Sequence, residues 1–189
     1  MDAQEYAKDF LEGVRSEAAA TGEGKCAVFV RNVAQQLVDA EVLPDFEGSF
    51  YTGTGRGNRK FRVDGYILDE FDMAMNLIIA DFDEDPDRIL AKTGISQCLT
   101  RLSYFAELAL NGSLHDVIEP STPCADLADI IHTYKDRIRK FKYHIFTDAS
   151  VSATIKTVET QPIGTIPTDC QVWSLERLFR ICSSDLARQ

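Results

Sequence analysis

Three aspartates follow or interrupt two segments that are typical of neighbouring β-strands. Asp64 lies inside the β-branched and aromatic segment 61–68, and Asp81 and Asp83 come directly after the apolar run 73–80. An ionised carboxylate inside a strand is costly to bury unless it is paired or binds a metal. Carboxylates on neighbouring strands can hold Mg²⁺ for phosphodiester cleavage. Asp64, Asp81 and Asp83 are therefore candidate metal ligands and, in an active enzyme, candidate catalytic residues.

The residues beside these aspartates fit that chemistry poorly. Metal-dependent cleavage usually also employs a lysine that helps to position or activate the attacking water. Here Asp81 is followed by the sequence FDED at 82–85, so the strand end is acidic where a nuclease needs a cation. A surface cluster of acids at a strand end is also typical of a solubilising turn, and the residues alone favour that interpretation. We expect no cofactor, or Mg²⁺ if the site is active.

Other patterns that often mark a catalytic site are missing from the sequence. The three histidines, His115, His132 and His144, show no HExxH or other ligand spacing, and there is no GxSxG elbow. The five cysteines are scattered without CxxC spacing, which indicates reduced thiols. The glycine-rich segment 46–60 precedes a strand, whereas a phosphate-binding loop follows a strand and opens a helix. We therefore predict a mobile surface loop over 46–60.

The aspartates need a sheet and covering helices to hold them in place. The polar residues 69–72 can turn, so segments 61–68 and 73–80 predict an antiparallel hairpin. Apolar residues at helical spacing predict helices over about 3–20, 24–40, 89–110, 124–134 and 174–182, and further strands at 143–147, 155–158 and 170–173. The order predicts an α/β fold with a mixed sheet flanked by helices. A helix from 95 to 110 should pack on the hairpin.

Length and charge limit the organisation and the partners. The 189 residues suit a single α/β domain over 1–189, with a helical pair at 1–44 packed on a core at 61–182. The net charge of −10 should repel phosphate backbones, so we expect weak nucleic-acid binding at most. The basic run 135–142 is interpreted as a solvated helix end. No signal peptide or membrane-length apolar run is present, which predicts a cytoplasmic protein without membrane contact.

Several short segments resemble the N-terminal region of the abortive-infection phage-resistance (AIPR) family. They span most of the chain and comprise Val63-Asp64-Gly65-Tyr66, Asp69-Glu70, LIIADF at 77–82, FTD at 146–148 and VWSLERL at 172–178. The order of elements also resembles a restriction-endonuclease-like core, which implies a sandwich with two extra N-terminal helices. In members of that wider group that cut nucleic acid, an aspartate on one strand precedes a (D/E/Q)xK triplet on the next. Asp64 matches the aspartate, but at the triplet Ile79 cannot bind metal and Asp81 replaces the lysine.

The resemblance implies a non-catalytic, degenerate nuclease-like N-terminal domain of an intracellular phage-defence protein. Such a domain would serve assembly, sensing or positioning of a C-terminal effector, and the chain ends directly after an amphipathic helix, as expected for part of a longer protein. The expected partners are the C-terminal remainder and further copies of the chain. Two alternatives remain open: a Mg²⁺-dependent nuclease with a rearranged site of Asp64, Asp81 and Asp83, and an unrelated cytosolic interaction domain.

Overall fold

A mixed five-stranded sheet forms the centre of the molecule. The computed structural model describes residues 1–186, within which the helices are α1 (Ala3–Thr21), α2 (Lys25–Asp39), α3 (Lys92–Leu110), α4 (Pro123–Thr133) and α5 (Leu175–Leu186). The strands are β1 (Glu47–Thr54), β2 (Lys60–Asp69), β3 (Ala74–Asp81), β4 (Ile89–Leu90), β5 (Lys140–Thr147), β6 (Ser150–Val151) and β7 (Thr168–Ser174). The sheet order is β1-β2-β3-β5-β7, and β4 pairs separately with β6. The predicted fold class is confirmed.

The central hairpin was predicted correctly. β2 and β3 pair antiparallel, with Gly65 opposite Ile78 and Asp69 opposite Ala74. The first seven residues of β3 are buried, as expected for an apolar run covered on both faces. Leu77 and Ile79 belong to the core beneath α3 and α4, which confirms the predicted packing of α3 on the sheet. Ile78 belongs to a second core formed with α1, α2 and α5, so the fold has three layers.

The first helix shows how local sequence sets its ends and its buried face. Asp2 accepts hydrogen bonds from the backbone N–H groups of Gln4 and Glu5, and the Glu5 side chain accepts from the Asp2 N–H, which completes a capping box. Gly22 ends the helix in the left-handed conformation at φ 75°. The buried positions recur at helical spacing along one face of α1, namely Ala7, Leu11, Val14 and Ala18. The two predicted N-terminal helices are therefore present, with α1 packed on α2 and α5.

The change of strand direction at β3 gathers three strand ends at one edge of the sheet. β1, β2 and β3 form an antiparallel meander, whereas β3, β5 and β7 run parallel. In the parallel register Asp81 is opposite Thr147, and Thr147 is opposite Ser174. The carboxyl ends of parallel strands are where α/β folds commonly place their functional groups. This edge therefore carries two of the candidate residues, Asp81 and, just beyond the strand, Asp83.

The prediction of a surface loop over 46–60 was wrong. Residues Glu47–Thr54 form β1, which pairs with β2 through a register shift between Gly48 and Tyr51. The glycines that suggested a loop leave room for aromatic rings, since a Cβ at Gly53 would overlap the ring of Phe61. Composition alone could not reveal this close approach.

Three smaller predictions about element boundaries were also wrong. Residues 155–158 form no strand, and the short strand in that region is β6. The helix predicted from residue 89 begins at Lys92, because Ile89–Leu90 forms β4. The basic run 135–142 is not a helix end throughout, since α4 stops at Thr133 and Lys140 opens β5. Among the described helices, none combines the length and hydrophobicity needed to cross a membrane.

Candidate carboxylate site

Asp64 is buried in an ion pair with a neighbour on its own strand. Arg62 and Asp64 are two residues apart on β2, so their side chains leave the same face of the sheet. The Arg62 Nε donates to Asp64 Oδ1 at 2.9 Å, and Arg62 Nη2 lies 2.8 Å from Oδ2. The backbone N–H of Ala80 on β3 also donates to Oδ2, at 2.7 Å. Asp64 is only 3% exposed, so this arginine is the explanation for a carboxylate inside the sheet.

Burial and the hydrogen-bond donors around Asp64 have opposite effects on the pKa of its carboxyl group. Burial raises the pKa of the Asp64 carboxyl, while Arg62 and the Ala80 amide favour the ionised form and offset part of that rise. The guanidinium of Arg62 also lies under α2, where its Nη2 is 3.4 Å from the Sγ of Cys26. Burial raises the pKa of that thiol as well. The cation and the carboxylate thus compensate each other in a largely dry environment.

A second cluster surrounds Arg88 at the carboxyl ends of β3 and β5. The Arg88 Nη2 donates to Asp81 Oδ2 at 2.7 Å and to Asp148 Oδ1 at 3.1 Å. The Arg88 Nε lies 3.3 Å from Asp83 Oδ2, which is close enough for an ion pair. It donates no hydrogen bond to any residue that the structure describes. Thr147 donates its hydroxyl to Asp81 Oδ2 at 2.9 Å. One arginine therefore serves three carboxylates.

Asp148 organises the acidic turn that follows β3. Its side chain is fully buried and accepts the backbone N–H groups of Asp83 at 3.4 Å and Asp85 at 2.9 Å. Burial raises the pKa of the Asp148 carboxyl, and these amides together with Arg88 oppose the rise. Sequence reasoning did not select Asp148 or Arg88 as site residues. The available signal was the segment FTD at 146–148, in which a strand runs directly into an aspartate.

The three predicted site residues are divided between these two clusters. Asp64 belongs to the Arg62 cluster, whereas Asp81 and Asp83 belong to the Arg88 cluster. In the part of the chain that the structure describes, no group of three or more histidines, cysteines, aspartates or glutamates is arranged to hold a metal ion. The acids end β3 as predicted, and Arg88 forms ion pairs with two of them, Asp81 and Asp83. The side chain of Asp83 is 68% exposed and the most accessible of the three.

The geometry of Asp64 bears directly on Mg²⁺ binding. Both Asp64 oxygens already accept hydrogen bonds, from Arg62 and from the Ala80 amide. A hard cation needs several oxygen ligands, so binding at Asp64 would require the Arg62 guanidinium to leave and a second carboxylate to approach. The residues present therefore do not fit a metal in this arrangement.

The buried histidine His144 has a structural role in the sheet. The Trp173 Nε1 donates to His144 Nδ1 at 3.0 Å, so His144 carries its proton on Nε2 and donates it to Asn76 Oδ1 at 2.9 Å. Asn76 in turn donates to the carbonyl of Ile67 at 3.3 Å. Burial lowers the pKa of His144 to about 4, which keeps the ring neutral. This chain links β2, β3, β5 and β7 and fixes their alignment.

A protein-family model matches the part of the chain that contains these clusters. Residues 29–180 match the model of the abortive infection phage resistance protein N-terminal domain. The chain belongs to this family. The matched AIPR region begins within α2, ends within α5, and contains both arginine clusters and the whole five-stranded sheet. No curated protein and no solved structure matches the chain. The AIPR assignment agrees with the resemblance in the sequence and makes this a domain of the abortive-infection phage-resistance family.

Proposed function

We propose that this AIPR domain is a non-catalytic, nuclease-like module of a cytoplasmic phage-defence protein. Its roles would be assembly, sensing or positioning of a C-terminal effector, with the C-terminal remainder and further copies of the chain as partners. The family supplies the setting in phage defence. The contacts of the carboxylates support the absence of catalysis.

One observation carries this proposal: arginines occupy the carboxylates that a metal-dependent nuclease would need. Arg62 holds both oxygens of Asp64, and Arg88 bridges Asp81 and Asp148. A nuclease requires carboxylate oxygens that are free to bind a hard cation and a separate cation or base that orients water. Here guanidinium and backbone N–H groups occupy carboxylate oxygens, as in a structural ion-pair network, although the single charge of Arg88 does not balance the three carboxylates around it.

The order of elements supports the nuclease-like part of the proposal. Helix α2 is followed by the antiparallel meander β1-β2-β3, by α3 and later by β5, which joins the sheet parallel to β3; the short strand β4 precedes α3, and the additional helix α4 lies between α3 and β5. This is the order expected of a restriction-endonuclease-like core. Asp64 also accepts the amide of Ala80, the residue that precedes Asp81. The aspartates thus lie on neighbouring strands, as in a nuclease scaffold whose site has changed.

A cleavage assay tests the absence of catalysis. The chain should not cut single- or double-stranded DNA or RNA when Mg²⁺ or Mn²⁺ is added. The refuting result is metal-dependent cleavage that is lost in both Asp64→Asn and Asp81→Asn but retained in Asp72→Asn. Asp72 is an exposed aspartate in the β2–β3 turn and controls for the loss of one charge. That result would make a rearranged Mg²⁺-dependent nuclease the better description.

A phage-plating assay tests the defence role. Cells that carry the complete gene should restrict phage growth equally well with the wild-type sequence and with Asp83→Asn, because Asp83 is mostly exposed and its loss leaves Arg88 paired to Asp81 and Asp148. Protection that fails in Asp83→Asn, at wild-type protein abundance, would show that this carboxylate does more than balance charge. No protection by the wild-type gene against any phage tested would count against the defence role itself.

A further inference from the structure

A cleft lined by cationic side chains lies along the outer edge of β7. It has a volume of about 570 Å³ and is bounded by β7, by the first turns of α5 and by the segment 151–158. Arg177, Arg180 and Lys156 line it, together with Glu176. Glu176 forms an ion pair with Arg180, so Arg177 and Lys156 leave the cleft with uncompensated positive charge. In a protein of net charge −10, this local excess is unusual.

Arg177 is the strongest indication that the cleft receives a ligand. Its guanidinium lies 3.7 Å from the centroid of the Trp173 ring and is partly buried. It donates to the Val172 carbonyl at 2.8 Å and to Gln171 Oε1 at 3.1 Å, both of which are neutral acceptors. An arginine has five N–H donors. Neither Arg177 nor Lys156 forms an ion pair with any side chain that the structure describes, although burial already lowers the pKa of Arg177.

The segment 151–158, which carries Lys156, also supplies apolar side chains to the cleft, and these narrow the class of ligand. Val151, Ile155 and Val158 lie on the segment that faces β7, and the hydroxyls of Ser152 and Thr157 flank them. The volume is in the range of small-molecule sites, and it is far larger than a single phosphate needs. A ligand that contacts both kinds of side chain has an anionic group for Arg177 and Lys156 and a flat, weakly polar part for the valines and isoleucine.

We propose that this cleft binds a nucleotide, with its phosphates on Arg177 and Lys156 and its base against Val151, Ile155 and Val158. The site adjoins the carboxyl end of β7, where α/β folds commonly bind ligands, and the backbone N–H of Arg177 already donates to Ser174 Oγ at the start of α5. Binding here is separate from the Arg62 and Arg88 clusters. It therefore does not depend on whether the domain cleaves nucleic acid.

Calorimetric titration with ATP, GTP, CTP and UTP tests the site. At least one of these nucleotides should bind saturably with one site per chain, and the same titration with inorganic phosphate should show clearly weaker binding. Lys156→Gln should weaken nucleotide binding about tenfold, since it removes a charge-assisted contact to phosphate. Arg177→Gln should weaken it at least as much. Lys135→Gln removes the same charge from the exposed turn that follows α4, outside the cleft, and should leave the affinity unchanged.

The result that overturns the proposal is specific. Lys156 is exposed, so its variant keeps the fold and remains informative even if Arg177→Gln fails to fold. No saturable binding of any of the four nucleotides, or equal weakening by Lys156→Gln and Lys135→Gln, would refute the site. Equal affinities for inorganic phosphate and nucleotide would refute the nucleotide assignment. Much tighter binding of a single-stranded oligonucleotide than of every mononucleotide would replace it with a nucleic-acid surface.

Discussion

Removal of Arg62 should destabilise the fold far more than removal of a surface arginine. In Arg62→Met the Asp64 carboxylate keeps the Ala80 amide but loses both contacts to the guanidinium, which are 2.8 and 2.9 Å long. Loss of one partner from a buried ion pair typically costs 3–5 kcal/mol. The Arg62 side chain is 23% exposed, which places the expected cost near the lower limit, at about 3 kcal/mol. Native domains have a free energy of unfolding of about 5–15 kcal/mol, so this loss is a large share.

Urea unfolding measures this loss directly. Trp173 is the single tryptophan, it is buried, and its fluorescence reports the unfolding of the whole sheet. Arg31→Met provides the matched control, because Arg31 pairs with Glu17 and Glu23 through half-exposed side chains. Surface ion pairs contribute at most about 1 kcal/mol. Arg31 forms two such pairs, so its loss should cost at most about 2 kcal/mol, and the two variants should differ by about 1 kcal/mol or more in their free energies of unfolding.

The pH dependence of Arg62→Met gives a second measurement. Without the arginine, the pKa of buried Asp64 should rise further above its unfolded value, so the folded state binds a proton that the unfolded state releases. The stability of the variant should then improve relative to wild type as the pH falls from 7 towards 4. Arg62→Met/Asp64→Leu should recover much of the lost stability at neutral pH, since it removes the unpaired charge. If the free energies of unfolding of Arg62→Met and Arg31→Met agree within experimental error, Arg62 does not compensate the burial of Asp64 and the explanation is wrong.

Three further predictions concern the core and can be measured by the same unfolding assay. Ile78→Asp buries an unpaired charge between the helices and the sheet and should cost several kcal/mol, whereas Phe71→Asp at the 97% exposed turn should cost little. His144 has a folded pKa of about 4 and an unfolded value near 6.5, so stability should fall by up to about 3 kcal/mol as the pH drops through this window, and a flat profile would contradict its burial. Gly65→Ala should destabilise the protein by about 1–3 kcal/mol because the new Cβ would overlap the Phe46 ring, and an unchanged melting temperature would show that the ring moves freely.

The sequence predicted the centre of the fold because its signals there are local. The unbroken apolar run of β3 and the alternation of β2 need no knowledge of distant residues, and they led correctly to an antiparallel hairpin. β1 was missed because its glycines have the same composition as a loop. The reason for a glycine at position 53 is a contact across the sheet, because a Cβ there would overlap the ring of Phe61 on β2.

The candidate site was predicted only in part, since its partners come from different segments. The sequence left open whether Asp64 is paired or binds a metal, although Arg62, two residues earlier on the same strand face, could have indicated the pairing. The bridge from Arg88 to Asp81 and Asp148 spans about 60 residues of sequence and depends on the parallel register of β3 and β5. The link from Asn76 to His144 likewise joins two strands that only folding brings together. Such contacts have no signature in composition or spacing.

The outermost strands of the sheet limit how copies of this chain can associate. An open sheet edge is a template on which another strand can add. Here the register shift within β1 interrupts the regular spacing of its outer groups, and shifts of this kind twist an edge away from a partner. On β7, the Thr160 hydroxyl donates to the Thr168 carbonyl and Arg177 donates to the Val172 carbonyl, so two acceptors of its free edge are already used. We therefore expect assemblies of this domain to join through helix surfaces and turns, without a continuous sheet that grows from one molecule to the next.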